Sequence, residues 1–257
     1  MNSTDSMRAI PSDRIGKRPR KKGGRKRKPE PGLLKKAIRT ILPIAVVFLI
    51  ASLLVVLPLR WVSPPTSSFM LQDNSGRVPA AYEWVAWENI GSAAPLAVVA
   101  SEDQKFASHF GFDLKSIRES VEDYSDGAPL RGASTISQQV AKNMYLWSGK
   151  SFLRKGVEAW FTILIEMTWP KKRILEIYLN IAELGPGIYG VGAAADIYFR
   201  KTPDQLSDAE VALFAAVLPN PIQLSVDDPS PYVRERQNWI LTQMKRLHRE
   251  QWLLSLE

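Results

Sequence analysis

Carboxylates that lie on an apolar helix face are the first candidates for chemistry in this chain. At about 100° per residue, Glu102 falls on one narrow stripe of the helix predicted after Pro95, and the stripe otherwise holds Val98, Val99, Phe106 and His109. Removal of a carboxyl group from water raises its pKa, which suits a proton acceptor or donor near neutral pH. The alternative is an inward-facing Glu102 that is satisfied by His109 or by a backbone amide, and the pattern favours neither.

The next predicted helix has a polar face with little charge. The polar face holds Ser134, Thr135, Gln138, Lys142 and Tyr145, and the opposite face holds Ile136, Val140, Met144 and Trp147. A solvated face is usually rich in Glu and Lys, so this face favours sugar or phosphate recognition. Asn143 points toward the apolar side and needs a hydrogen-bond partner, for which a loop is the simplest source.

A group of charges lies beside the core stripe of the third predicted helix, over residues 151–168. Arg154, Lys155 and Glu158 form the group, and the stripe is Leu153, Val157, Trp160 and Leu164. One interpretation is a surface Arg154–Glu158 pair that contributes about 0.3–0.5 kcal/mol. The other is an anion site, in which the two cations and Lys142 neutralise a leaving diphosphate, since no Asp-x-Asp pair is present to hold a metal for that purpose.

Composition excludes several classes of chemistry. The chain of 257 residues has no cysteine and two histidines, so a disulfide scaffold, a thiol nucleophile and a multi-His metal centre are excluded. The net charge of +8 comes from the first 39 residues, which carry 14 Lys and Arg and a net charge of +11. The remainder is slightly acidic, so a basic surface on the folded part is not implied.

An apolar segment follows the basic tail. Residues 40–59 contain no charge and span roughly 30 Å as a helix, which matches a bilayer core. The segment lacks a small-residue cleavage site and ends at Arg60 and Trp61, so it indicates an uncleaved anchor rather than a signal peptide or a buried core helix. Fourteen basic residues precede the span, whereas only Arg60 and Arg77 lie between its end and residue 104, so the sequence predicts a cytoplasmic N-terminus and places the residues after 60 on the other side of the membrane. A nucleic-acid-binding arm is the alternative for the tail, but any Lys/Arg-rich segment would attract DNA.

The folded part is predicted to be mainly α, because its apolar spacing is helical. Start signals occur at Pro95, before a helix that extends to His109, at Ser134, at Pro170 and at the capping-box spacing Ser207–Glu210. Two Gly-rich segments, residues 124–133 and 184–192, are predicted to be mobile connectors that serve substrate entry. Residues 219–231 are predicted to be irregular before a last helix.

Four ordered motifs give the chain a resemblance to a known family. Residues 102–111 (EDQKFASHFG) match EDxxFxxHxG, and residues 132–143 (GASTISQQVAKN) match GxSTIxQQxxKN. Residues 154–158 (RKGVE) match RKxxE, and residues 174–180 (ILEIYLN) match ILExYLN. The chain is thereby similar to the family 51 peptidoglycan glycosyltransferases over about residues 85–245, and with its single anchor it resembles the monofunctional members from Gram-negative bacteria.

The resemblance implies a lysozyme-like fold and an enzyme that polymerises lipid II into glycan strands with inversion at the anomeric carbon. Glu102 would deprotonate the acceptor 4-hydroxyl, and Glu158 would lie near the donor diphosphate. The resemblance requires no cofactor and leaves open a divalent cation, Mg²⁺ or Mn²⁺, at Glu158. The expected substrate-binding residues are Asp103, Phe106, His109, Ser134, Thr135, Gln138, Gln139, Lys142, Asn143, Arg154 and Lys155.

The predicted organisation is a disordered basic tail over residues 1–39, a transmembrane helix over 40–60, a juxtamembrane segment over 61–84 and a glycosyltransferase domain over 85–250. The expected partners are lipid II, the nascent glycan strand, the membrane, and cell-division proteins or other peptidoglycan synthases, with no nucleic acid.

Two other functions are compatible with some of these residues. A peptidoglycan-cleaving lytic enzyme also uses a carboxyl group in a helical cleft, but its leaving group is a sugar hydroxyl, so it has no need of the cation cluster. A non-catalytic cell-wall scaffold predicts that Glu102 is dispensable. A transpeptidase module is excluded because the chain has no Ser-x-x-Lys and no Lys-Thr-Gly.

Overall fold

The structure is a computed structural model that describes residues 33–76, 80–116, 118, 122, 134–149, 151–247, 252 and 256. The chain divides into two compact units, residues 1–45 and 46–257. The first helix, α1, is Leu33–Val56, so the last residues of the predicted disordered tail are helical, and the rest of the tail lies outside the described residues. The stretch Ile38–Arg60 is long and apolar enough to span a membrane, by length and composition.

Helices make up most of the second unit, which confirms the predicted mainly α fold. After α1 and a 3₁₀ turn at Leu57–Arg60, the elements in chain order are α2 Ser68–Leu71, β1 Ala81–Tyr82, a 3₁₀ turn Trp87–Asn89, α3 Ala93–Glu102, α4 Ile136–Tyr145, α5 Phe152–Thr168, α6 Lys171–Ile181, β2 Glu183–Gly185, β3 Ile188–Tyr189, α7 Gly190–Ala194, a π-helical turn Ala195–Phe199, a 3₁₀ turn Pro203–Gln205, α8 Asp208–Val217 and α9 Pro231–Arg246.

The core is organised around α3. Every residue from Ala93 to Ala100 is buried, as expected of a helix that is apolar on all sides and enclosed by others. Helices α6, α8 and α9 pack against α3, while α4 packs against α5 and α6. The C-terminal end of α3, which carries Glu102, therefore lies where side chains from α4 and α9 can reach it.

Within the second unit, the C-terminal part of α1 and the turn after it accept hydrogen bonds from later residues. Trp160 Nε1 on α5 donates to Ser52 Oγ at 3.1 Å, and Trp169 Nε1 donates to the carbonyl oxygen of Val56 at 3.0 Å. Arg173 Nε donates to the carbonyl oxygen of Leu59 at 2.9 Å. The bonds to Val56 and Leu59 satisfy carbonyl groups at the end of α1 and in the 3₁₀ turn that follows it.

A small sheet occupies residues that were predicted to be a mobile connector. β3 pairs antiparallel with β2 and parallel with β1. The prediction for residues 184–192 was wrong, because strands of two or three residues are too short to show an alternating pattern. Gly190 has φ +80°, and a Cβ there would lie 2.3 Å from the carbonyl oxygen of Asn180, so this turn requires glycine. The other predicted connector, residues 124–133, lies outside the described residues.

The predicted helix starts are confirmed at three positions and wrong at a fourth. Pro95 lies in the first turn of α3. Pro170 is the N-cap residue of α6, and Ser207 forms the predicted capping box with Glu210. Helix α4 is capped by Thr135 rather than Ser134. Helix α9 begins at Pro231, in agreement with the predicted irregular segment before it.

The predicted core stripe of α5 is wrong at its N-terminal end. Leu164 is buried, but Leu153 is 74% exposed. The first turns of α5 therefore project beyond the core, and only its later turns pack into it.

Candidate active site

Glu102 is the last residue of α3, and its side chain is 15% exposed. It borders a cavity of about 290 Å³, whose lining also includes Asp103, Ser134, Thr135 and Trp239. Burial raises the pKa of the Glu102 carboxyl group above its ordinary value, and this effect exceeds the opposing effects of its partners. The geometry thus provides a carboxylate of increased basicity at an accessible cavity.

Two partners from distant parts of the chain hold the Glu102 carboxylate. Gln139 Nε2 on α4 donates to Glu102 Oε2 at 2.9 Å, and Gln139 Oε1 accepts from the Tyr178 hydroxyl at 3.1 Å. Arg236 Nη2 on α9 lies 3.4 Å from Glu102 Oε1. The hydrogen bond to Gln139 and the charge of Arg236 both lower the pKa of Glu102, so they limit the effect of burial.

Asp103 is the C-cap residue of α3, and the residues after it differ from the predicted helix. Its backbone leaves the helix with φ −161°, and its Oδ2 accepts from the backbone N–H of Ile136 at 3.0 Å. His109 Nε2 lies 2.9 Å from both oxygens of Asp103. The helix therefore stops at Glu102 and does not extend to His109, and the predicted alternative in which His109 satisfies Glu102 is wrong, because His109 pairs with Asp103.

Several of the predicted substrate-binding side chains make hydrogen bonds within the protein. Thr135 and Gln138 form a reciprocal capping box, in which Thr135 N–H donates to Gln138 Oε1 at 3.0 Å. Thr135 Oγ1 also donates to the carbonyl oxygen of Gly111 at 2.7 Å. Gln138 is buried and Phe106 has no exposed surface, whereas Ser134 is exposed at the cavity. Ser134 is therefore more accessible to a substrate than Gln138 or Phe106.

Glu158 is the shared partner of two cations on α5. Arg154 Nη1 lies 2.9 Å from Glu158 Oε2, and Lys155 Nζ pairs with Glu158 Oε1. The Glu158 side chain is only 3% exposed, and that of Arg154 is 12% exposed. The interpretation of Arg154 and Glu158 as a surface pair is therefore wrong.

Lys142 on α4 interacts electrostatically with both carboxylates. Its charge is stabilised by Glu158 and by Glu102, while burial and the charges of Arg154 and Lys155 lower its pKa. Lys142 Nζ lies 5.5 Å from the centre of the Phe69 ring. The three cations predicted to form an anion site thus occupy one electrostatic neighbourhood.

Asn143 lies near the C-terminal end of α4, and its predicted hydrogen bond to a loop stays a prediction. Its Oδ1 is buried and has no hydrogen-bond partner among the residues that the structure describes.

The side chains around Glu158 do not fit a bound metal ion. Both carboxylate oxygens already accept from cations, and the described parts of the chain contain no cluster of three carboxylate or histidine side chains that could hold a metal. A divalent cation prefers several oxygen ligands, which this donor set does not offer.

Sequence reasoning missed three residues at the site. Arg236 and Trp239 come from α9, and Tyr178 comes from a motif in which no role was assigned to it. Arg236 is 134 residues from its partner Glu102, so no local spacing could connect them. The available signal was the placement of Arg236 and Trp239 on one face of a strongly predicted helix.

The fold and site together define a class of protein. The Glu102 carboxylate, whose pKa is raised, can accept a proton from a hydroxyl group, and the three cations clustered with Glu158 can stabilise an anionic leaving group.

Comparison with known proteins identifies the family. Residues 72–245 match the model of the transglycosylase family. The chain is 45% identical over 231 residues to the biosynthetic peptidoglycan transglycosylase of Pseudomonas aeruginosa, a match that covers 88% of this chain and 100% of that protein. It is 46% identical over 216 residues to the protein of the same name from Xylella fastidiosa, covering 81% of this chain and 89% of that protein. The chain belongs to the transglycosylase family.

Proposed function

We propose that this protein polymerises lipid II into glycan strands, with Glu102 as the general base and the Lys142, Arg154 and Lys155 side chains as the diphosphate site. The chain is a peptidoglycan glycosyltransferase of cell-wall synthesis, as its family and the names of its relatives support. The observation that carries the assignment of roles is the position of the basic Glu102 carboxylate at a cavity, electrostatically coupled to Lys142.

Glu102 takes the proton in the proposed reaction. The 4-hydroxyl oxygen of the acceptor sugar attacks the anomeric carbon of the donor, and its proton passes to the Glu102 carboxylate. The bond between the anomeric carbon and the diphosphate oxygen breaks, so the configuration inverts and undecaprenyl diphosphate leaves with the electron pair. The raised pKa of Glu102 makes it a stronger base than an exposed glutamate.

The cation cluster stabilises the leaving group. Lys142, Arg154 and Lys155 carry three positive charges and Glu158 carries one negative charge, so the cluster has a net charge of +2. This charge balances the two negative charges of a diphosphate diester. Glu158 orients Arg154 and Lys155 before the substrate arrives, so little reorganisation is needed during the reaction. No step of the mechanism is assigned to a metal ion, because both Glu158 oxygens pair with cations.

The catalytic unit works at a membrane surface in this proposal. The stretch Ile38–Arg60 serves as a single-pass anchor in the inner membrane, and the excess of basic residues before it places the N-terminus in the cytoplasm and residues 61–257 in the periplasm. This placement brings the cavity to the compartment in which glycan strands are assembled. Lipid II and the nascent strand are the substrates, and other peptidoglycan synthases or cell-division proteins are the expected partners.

Incubation of the detergent-purified full-length chain with labelled lipid II tests the proposal. We expect a high-molecular-weight product that a muramidase degrades. Preformed peptidoglycan, incubated in parallel, should remain intact. Release of fragments from that polymer without consumption of lipid II would instead identify a lytic enzyme.

A further inference from the structure

One face of α9 carries two exposed aromatic side chains beside the Glu102 cavity. Tyr232, Glu235, Arg236 and Trp239 have the spacing i, i+3, i+4 and i+7, which places them on one helix face. Tyr232 is 55% exposed and Trp239 is 45% exposed. Two large aromatic rings on one solvated helix face form an apolar patch, which marks a ligand or partner site more often than a single exposed ring does.

The same four residues line a second cavity, of about 280 Å³. Trp239 belongs to the lining of both this cavity and the Glu102 cavity, so the two cavities adjoin at its side chain. From the shared Trp239 side chain, the second cavity extends along α9 to Tyr232. Two adjoining cavities suit a chain of linked rings better than a single ring.

The chemistry of the second cavity matches a saccharide. A pyranose ring has a face of C–H groups that packs against an aromatic ring, and a rim of hydroxyl groups that bonds to polar side chains. Tyr232 and Trp239 provide the aromatic surface, while Glu235 and Arg236 provide acceptors and donors. The cations assigned to the diphosphate lie on α4 and α5, and none of them lines this second cavity.

We propose that Tyr232 and Trp239 form an aromatic ledge that binds sugar rings of the β-1,4-linked nascent glycan next to Glu102. The ledge contacts the sugar rings of the strand and does not contact its lipid or its diphosphate. This inference rests on the proposed function, because it takes the glycan strand as the substrate.

Binding of a lipid-free probe tests the ledge. The probe is the tetrasaccharide of two GlcNAc–MurNAc units without lipid and diphosphate, titrated calorimetrically into the full-length protein in detergent. Trp239→Ala should weaken binding by about tenfold or more, since truncation of a central Trp contact commonly has this effect. Trp239→Phe should retain most of the affinity. Trp147→Ala is the matched control, because Trp147 is 46% exposed but does not line either cavity.

The possible results separate the ledge from the proposed function. Wild-type protein that polymerises lipid II but binds the tetrasaccharide no more tightly than Trp239→Ala would overturn the ledge alone. Equal losses in Trp239→Ala and Trp147→Ala would also overturn it. Absence of polymer from lipid II with the wild-type protein would instead refute the proposed function. Thermal unfolding of each variant shows that a loss of binding is not a loss of fold.

Discussion

Glu158 is the shared counter-ion of two cations, and its removal should destabilise the protein. The Glu158 side chain is 3% exposed, whereas Arg154 is 12% exposed and Lys155 is 50% exposed. In Glu158→Gln the volume and one acceptor remain, but the negative charge is lost. Lys155 can turn into water, while Arg154 stays largely enclosed and its charge loses the carboxylate that balanced it.

The burial of Arg154 sets the size of the effect. Removal of one partner of a buried ion pair commonly destabilises a protein by about 3–5 kcal/mol. We expect the lower end of this range, about 3 kcal/mol, because Arg154 retains some exposure. For a chain of this length the corresponding decrease in Tm is roughly 6–12 °C. Thermal unfolding of the full-length protein in detergent, followed by near-ultraviolet circular dichroism, measures it.

Two further variants show whether the unpaired charge is the cause. Addition of Arg154→Gln to Glu158→Gln should recover about 1 kcal/mol or more, since it removes the unpaired cation. Lys155→Gln alone should change the free energy of unfolding by less than about 1 kcal/mol, because the Lys155 end of its pair is exposed. A Tm of Glu158→Gln within about 2 °C of wild type would refute the reasoning, as it would show that solvent screens the pair.

Two other predictions concern the base and the turn after β3. Arg236 lowers the pKa of Glu102, so Arg236→Gln should raise that pKa and move the acidic limb of the kcat/KM profile for lipid II to higher pH; an unshifted limb would contradict the contact. Gly190→Ala should destabilise the protein by more than about 2 kcal/mol in thermal unfolding, because φ is +80° and the new Cβ would meet the carbonyl oxygen of Asn180. Gly156→Ala is the control, because a Cβ at Gly156 would meet nothing within 4 Å. The higher helix propensity of Ala should stabilise the protein by about 0.5–1 kcal/mol at this helical position. Similar destabilisation by Gly190→Ala and Gly156→Ala would disprove the backbone argument.

Local signals predicted the elements whose ends are determined by neighbouring residues. Ser207 and Glu210 are three positions apart and cap α8 together, so the sequence contains the whole interaction. The start of α4 was missed by one residue, because both Ser134 and Thr135 can cap a helix. The choice depends on Thr135 also bonding to the carbonyl oxygen of Gly111, a contact that spacing does not reveal.

Contacts between residues that are distant in the sequence account for the remaining differences between the predictions and the structure. Helix α3 ends at Glu102 because Asp103 accepts a hydrogen bond from Ile136, 33 residues further along the chain. The i, i+4 spacing predicted that Arg154 and Glu158 are adjacent, but their burial depends on how α5 packs into the core. The apolar pattern of the sequence was sufficient to predict Glu102 as a candidate base. The effect of Arg236 on the pKa of Glu102 could be seen only in the folded structure, because the two residues are distant in the sequence.

The central claim is that Glu102 accepts the proton from the acceptor hydroxyl, and Glu102→Gln tests it most directly. The amide keeps the size of the side chain and an acceptor for Gln139, but it has no basicity. The initial rate of lipid II polymerisation by the folded variant should fall by about 10²-fold or more with KM largely retained, which is the usual scale for loss of a general base. A folded Glu102→Gln variant that polymerises lipid II at nearly the wild-type rate would contradict the account.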